Sequence, residues 1–404
     1  IHVVDMPEPN AFALPGGYVF VTRGLLTLFN SEDELANVLG HEIGHVAARH
    51  SVQRASRAAP FAIATGLSSM AVGIVSPGLG QAVAGVGGLA GGLVLAPYSR
   101  NQEREADRIG QEMAAAAGWD PAEMGSFLER LEREAELHAG QPRKTSFLDT
   151  HPSTGERVAN TASHAASVTR ASRAPIAVDQ AAFLRKLDGL RVGTDVRAGL
   201  FREGRFFHPD LDFTMHFPEG WQTQNARTYV AAQAPKAKAV VVVEVAKKAV
   251  DPLEAVQSFQ EETKASFDPE VELLTINGLR AAHGVVQGRQ SAADLTWIAH
   301  GGRVFQIAGL AGSRDFKSYR QRFLATAQSF RPLTGGERAT IKDTRLRVVS
   351  AREGETLASL VQRRGSSWSA EQAAVSNGLE ANAVLRAGQR VKLAIPEPYV
   401  AGKS

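Results

Sequence analysis

The run His41-Glu42-Ile43-Gly44-His45 constrains this chain more than any other feature. On a helix, positions i and i+4 share a face one turn apart, so both imidazoles can reach one cation with Glu42 beside it. The flanking residues predict such a helix. Ser31 followed three residues later by Glu34 has the pattern of a capping box, and Leu35, Val38, Leu39 and Val46 form an apolar stripe. Two histidines do not complete a hydrolytic zinc site, which takes three protein ligands and keeps a fourth position for water. The chain has no cysteine, so the third ligand must be a histidine or a carboxylate. The same absence excludes disulfide scaffolds, iron–sulfur clusters and thiol catalysis.

His50 lies nine residues from His41, roughly 180° around a helix that advances about 100° per residue. It reads as a surface or orienting histidine. A second helix, expected from near Ser99 to Gly118, carries Glu103-Arg104-Glu105-Ala106-Asp107. Glu103 and Asp107 are i, i+4 partners, so one can bind a metal while the other orients a ligating imidazole. Small Ala106 and Gly110 on that helix would permit close packing against the motif helix.

These stretches, with Asn10-Ala11-Phe12-Ala13-Leu14-Pro15-Gly16-Gly17 and Thr22-Arg23-Gly24-Leu25-Leu26, occur in one order. Over about residues 1–170 the chain resembles the zinc peptidases typified by the CAAX prenyl protease, HtpX and the periplasmic BepA type. The resemblance implies one Zn²⁺ per chain held by His41, His45 and Glu103, with Glu42 as general base and Asp107 behind the ligands. Thr150-His151-Pro152 followed by Arg157 matches a further motif of that family. It implies that His151 is a fourth ligand in a latent state or a transition-state stabiliser, with Arg157 assisting at the oxyanion. The strand region bearing Phe12, Pro15, Gly16 and Gly17 is the expected place for an extended substrate to add as an extra strand.

The remainder reads as an α+β multi-domain chain. Residues 1–173 form a mainly helical, zincin-type metallopeptidase domain with a small edge sheet, and 174–203 a connecting helix and linker. From 204 to 333 the period changes: Leu211, Phe213, Met215 and Phe217 alternate with polar residues, Val240 to Val245 is a second strand, and Gly301-Gly302 marks a hairpin. That α+β domain faintly resembles the PsbP fold and shows no chemistry. Residues 342–396 resemble a LysM module of strand, two helices and strand, with Gly354-Glu355-Thr356-Leu357, Asn377-Gly378-Leu379 and Val391-Lys392-Leu393. Glu355 stands where aspartate is usual. Such modules bind glycan chains such as peptidoglycan.

Residues 58–99 contain no charged side chain and are rich in glycine. They are expected to form a lid or membrane-surface hairpin between the two ligand-bearing helices. With Lys+Arg 45 against Asp+Glu 42, net +3, the charge gives no reason to expect a nucleic-acid partner. The reading is a zinc-dependent endopeptidase acting on unfolded or misassembled polypeptides, including outer-membrane proteins, in the periplasm or cell envelope. Its targeting segment would be absent from this chain. The alternatives are an envelope assembly factor with a latent protease site, or a cell-wall-binding scaffold.

Overall fold

A computed structural model describes residues 1–53, 97–139, 146–152, 155–173, 176–246 and 249–401. Most of the uncharged 58–99 segment, and with it the expected lid, lies outside these described residues. No helix among the described residues is long and apolar enough to cross a membrane. The chain forms two compact units. The described residues up to Thr194 cluster with Lys342–Glu397, and Asp195–Ile341 belong to the other unit.

The first unit opens with a three-stranded sheet of β1 (His2–Val4), β2 (Ala11–Leu14) and β3 (Tyr18–Thr22), in the order β1-β3-β2. β1 runs parallel and β2 antiparallel to β3, so β2 is an edge strand. The turn between β2 and β3 places Gly16 and Gly17 at φ 98° and 87°, which side chains bearing a Cβ rarely adopt. After α1 (Arg23–Leu26) comes α2 (Glu32–Ala47), the helix of the His-Glu motif. Ser31 caps it by accepting the Glu34 amide at 3.1 Å. Glu34 reaches past the cap residue to the amide of Asn30 at 2.7 Å.

The next helix, α3 (Arg100–Ala116), begins with a complete capping box between Ser99 and Gln102. It lies against α2 at backbone contact distance. A Cβ on Gly40 would sit 2.6 Å from the Gly110 carbonyl oxygen, one on Gly44 2.9 Å from that of Ala106, and one on Gly110 2.5 Å from the His41 nitrogen. Small residues at these positions let the two helices approach closely enough to share one ligand set. α4 (Glu123–Leu137), α5 (Phe147–Thr150), α6 (Gly155–Ala165) and α7 (Gln180–Leu187) complete the helical part. α4 starts at Glu123 without a side-chain cap.

In the second unit, β4 (Leu200–Arg202), β5 (Arg205–His208) and β6 (Phe213–His216) pair antiparallel, and a further short strand joins β6. Asp212 at φ 56° keeps Leu211 off β6, although the alternating pattern had included it. The other strands are β7 (Gln222–Asn225), β8 (Tyr229–Gln233), β9 (Ala239–Val245), β10 (Glu272–Ile276), β11 (Leu279–Gln287), β12 (Ser291–His300) and β13 (Arg303–Gly312). They form a seven-stranded sheet in the order β10-β11-β12-β13-β9-β8-β7. The run Val240–Val243 is continuously apolar because both sheet faces are covered. Val241 and Val243 share a core with Phe316 and Phe323 of α9 (Phe316–Gln328), while Val240 and Val242 join Val256 and Phe259 of α8 (Pro252–Thr263). The two strands β14 (Arg331–Pro332), which joins β6, and β15 (Lys342–Ser350) flank the short helix α10 (Gly335–Thr340).

With β15 the chain returns to the first unit. α11 (Leu357–Arg364), α12 (Ala370–Asn377) and β16 (Arg390–Pro398) follow, and β15 pairs with β16. This strand–helix–helix–strand order has its own small core of Leu357, Leu360, Ala373, Leu385 and Leu393. Leu346 of β15 is instead buried in a core with Leu25, Phe29, Val38 and Phe127.

Candidate metal centre

α2 projects His41 and His45 from one face, and α3 brings Glu103 to them. His45 Nε2 lies 3.0 Å from His41 Nε2 and 3.2 Å from Glu103 Oε1. A fourth group arrives from α5. Ser146 and Asp149 form its capping box, Phe147 donates its amide to the Pro9 carbonyl at 2.8 Å, and His151 follows at the helix end. His151 Nδ1 is 3.2 Å from His41 Nε2 and 3.1 Å from Glu103 Oε1. All four residues are buried, and their ligand atoms lie within 4.8 Å of one another.

Each α2 histidine is turned by a partner behind it. His41 Nδ1 faces Asp107 Oδ1 at 2.8 Å, which fixes the proton there and leaves the Nε2 lone pair toward the cluster. His45 Nδ1 is 3.0 Å from His50 Nδ1, and His50 Nε2 is 3.2 Å from Glu105 Oε2. With His45 Nδ1 as donor, His50 accepts at Nδ1 and donates at Nε2 to the carboxylate. Tyr98 covers the outer face of His45, the rings 3.9 Å apart, and Phe147 stacks on His151 at 4.3 Å.

Arg157, expected near the oxyanion, has its donors engaged below the ligands. Its Nε and Nη2 reach Asp107 at 2.6 and 2.7 Å, and Nη1 lies 2.6 Å from Glu103 Oε2. One guanidinium therefore ties a candidate ligand to the carboxylate that orients His41. Glu42 is completely buried, and neither carboxylate oxygen has a hydrogen-bond partner among the described residues. Its nearest cationic candidate is His151 Nε2 at 3.5 Å.

Electrostatics separate these groups. Burial, reinforced by His41, pushes His45 down to about 2, so it is neutral and its lone pair is free. Burial also acts to lower His41, but the Asp107 hydrogen bond and the charges of Glu103 and Asp107 outweigh it and raise this imidazole. Burial opposes ionisation of the two carboxylates, yet His151 and Arg157 hold Glu103 well below the usual range. Arg157 and His41 likewise hold Asp107 at about 2.

Two imidazole nitrogens 3.0 Å apart, both with their other nitrogen directed at a partner, aim two lone pairs at one point. A carboxylate and a third imidazole converge there. This is the donor chemistry of a hydrolytic zinc ion, whose tetrahedral ligands at about 2.0–2.1 Å stand roughly 3.3 Å apart. The residues fit zinc.

The comparisons with known proteins agree. The model of peptidase family M48 matches residues 1–165. This segment is similar to that peptidase family. It is 38% identical over 160 residues to the mitochondrial metalloendopeptidase OMA1 of Bos taurus, covering 39% of this chain and 30% of that protein. It is 35% identical over 164 residues to the beta-barrel assembly-enhancing protease of Escherichia coli K12, covering 39% of this chain and 32% of that protein. The aligned part spans less than half the length of either relative. Among solved structures, the cyanobacterial PsbP of Synechocystis matches 32% of this chain and 91% of its own at 11% identity, with a TM-score of 0.27. That score is too low to bear on the fold.

Glu42, Glu103, Asp107, His151 and Arg157 therefore lie around the His41–His45 pair. Phe12 stacks on Phe20 at 5.0 Å on β2, and Pro15, Gly16 and Gly17 are exposed at its turn. The sequence left His50 as a surface or orienting histidine and did not mark Glu105, Tyr98 or Phe147 for the site. Backbone geometry gives His50 the orienting role. α2 ends at Ala47 and Arg49 adopts φ 58°, so the chain turns the imidazole back toward His45, where a continued helix would have carried it away. His50→Ala is expected to weaken zinc binding about ten-fold, measured by chelator competition. An unchanged affinity would show that this relay does not orient His45.

Proposed function

We propose that this protein is a zinc metalloendopeptidase that hydrolyses polypeptide chains. The observation that carries this reading is the convergence of His41, His45 and Glu103 beside a buried carboxylate, Glu42, whose two oxygens have no hydrogen-bond partner among the described residues. Zinc, when bound, supplies Lewis acidity and lowers the pKa of a water toward neutrality. Glu42 takes a proton from that water and returns it to the leaving amine nitrogen. His151, 3.5 Å from Glu42 through Nε2, stabilises negative charge on the substrate carbonyl oxygen. Arg157 and Asp107 keep Glu103 and His41 aimed. The edge strand β2 receives substrate backbone as an added strand, with Phe12 and the Pro15-Gly16-Gly17 turn along it; such binding tolerates many sequences.

The named relatives support a role on envelope proteins. We assign this chain to the periplasm or cell envelope and its substrates to unfolded or misassembled proteins there, including outer-membrane proteins. Residues 1–173 carry the catalysis, and 204–333 carry no chemistry that we identify. Residues 342–396 keep LysM-like order and offer a route to peptidoglycan, and 58–99 a route to the membrane surface.

A second reading has its own observation: His151 Nδ1 stands among the ligand atoms rather than outside them. It then serves as a fourth ligand that keeps the site closed, as in an assembly factor that rarely cleaves. One experiment addresses both. The wild-type chain is expected to hold one zinc and cleave casein, to lose cleavage on chelation, and to regain it with zinc. No stoichiometric zinc, or cleavage that survives its removal, would sink the peptidase reading. His151→Ala cleaves faster than wild type if His151 closes the site, and slower if it stabilises the oxyanion.

A further inference from the structure

Lys392, on β16, is 0% exposed, a state lysine almost never reaches without partners. Its Nζ donates to the carbonyls of Thr27 and Phe29, both at 2.7 Å. The carbonyl between them, that of Leu28, accepts from Arg130 of α4 at 3.1 Å. Arg130 also pairs with Glu34 at 2.7 Å, and Glu34 holds the Asn30 amide. Thr27 closes α1 and Ser31 opens α2. Two basic side chains from distant parts of the chain thus hold three successive carbonyls in the lead-in to the helix that bears His41, Glu42 and His45.

The lysine is itself held firmly. Asn377 accepts the Lys392 amide at 2.7 Å and donates to its carbonyl at 2.9 Å. On the other strand of the pair, Leu346 exchanges backbone hydrogen bonds with the segment after α7: Gly189 donates to its carbonyl at 2.8 Å, and its own amide donates to Leu190 at 2.7 Å. Arg191 pairs with Asp343 at 2.8 Å, while Arg23 at the start of α1 donates to the Arg191 carbonyl at 2.6 Å. Burial, then the charge of Arg130, holds the Lys392 amine well below the usual lysine range. Burying such a group is costly, and a hydrocarbon side chain would avoid that cost. A hydrocarbon side chain could donate to neither carbonyl.

We propose that Lys392 is a positioning residue for the metal centre, and that residues 342–397 are a working part of the peptidase rather than an appended module. The inference rests on the zinc-peptidase reading. His41 lies ten residues beyond Ser31, about 15 Å along a stiff helix. A tilt of a few degrees at the lead-in would move the imidazoles by roughly 1 Å, and a displacement of that size can cost up to about 10²-fold in rate.

The test uses the full chain. Lys392→Met is expected to weaken zinc binding about ten-fold or more, to lower kcat by a similar factor with KM within two-fold, and to speed hydrogen exchange at the α2 amides. Lys392→Arg, which keeps donors on a long stem, restores most of all three. Leu393→Ala, which opens the adjacent module core without touching the Thr27–Phe29 carbonyls, leaves zinc affinity near wild type while lowering the melting temperature. A folded Lys392→Met with wild-type zinc affinity and amide protection overturns the proposal. So does a Leu393→Ala chain that loses zinc equally. If Lys392→Met does not fold, Lys392→Arg decides: folding with zinc bound supports carbonyl capture, and failure overturns it. A wild-type chain without zinc would sink the peptidase reading instead, and the amide-exchange comparison would still report on Lys392.

Discussion

Glu42→Gln is expected to lower kcat for casein hydrolysis by about 10²–10⁴-fold while leaving one zinc bound per chain. Glutamine has nearly the same shape and fits the same buried space, but its amide cannot take up a proton. Glu42 is fully buried, neither oxygen has a hydrogen-bond partner among the described residues, and its ion-pair candidate His151 stands at 3.5 Å, so the substitution breaks no short structural bond among them. The variant should therefore melt near the wild-type temperature. Equal cleavage by both proteins would remove Glu42 as the base. Loss of zinc together with cleavage would show that Glu42 supports the ligands instead.

The second large effect is structural. Arg157→Met should destabilise the zinc-free protein by about 3–5 kcal/mol, the range for breaking a buried ion pair by deleting one partner. Its guanidinium reaches Asp107 through two nitrogens and Glu103 through the third, at 2.6–2.7 Å. Without it, two carboxylates stay buried against each other. Zinc affinity should fall about 10–100-fold, because Glu103 and the Asp107–His41 pair lose their common anchor. Lysine restores charge but lacks the planar fork, so Arg157→Lys should recover only part of the loss. Thermal unfolding with and without chelator measures both effects. An Arg157→Met chain that melts within about 1 °C of wild type would mean the network carries no net stability.

Much of this site could be read along the chain because its signals are local. The His-Glu motif, the Ser31 cap and the Glu103–Asp107 spacing each depend on residues within a few turns of one another. The small side chains at Ala106 and Gly110 also announced close helix packing, and the Gly40–Gly110 approach bears this out. The same local logic left His50 between a surface and an orienting role, because it could not show that α2 stops before Arg49. A single left-handed residue reverses the direction of the next side chain. The spacing of His151 and Arg157 marked both for the site but could not show which neighbours they meet. Only the packing of α6 under α3 shows that the Arg157 donors are occupied by Asp107 and Glu103.

The sequence alone determined the donor types. With no cysteine and one His-Glu motif facing an acidic helix, the metal must be held by imidazole and carboxylate, a set suited to hydrolysis. Tertiary structure alone decided which distant residues hold those donors still. The contact from Lys392 Nζ to Thr27 spans 365 positions in the chain, and no periodicity or cap signal reaches that far. A buried amine seeks whatever carbonyls the fold leaves unsatisfied, and those become known only when the elements are in place.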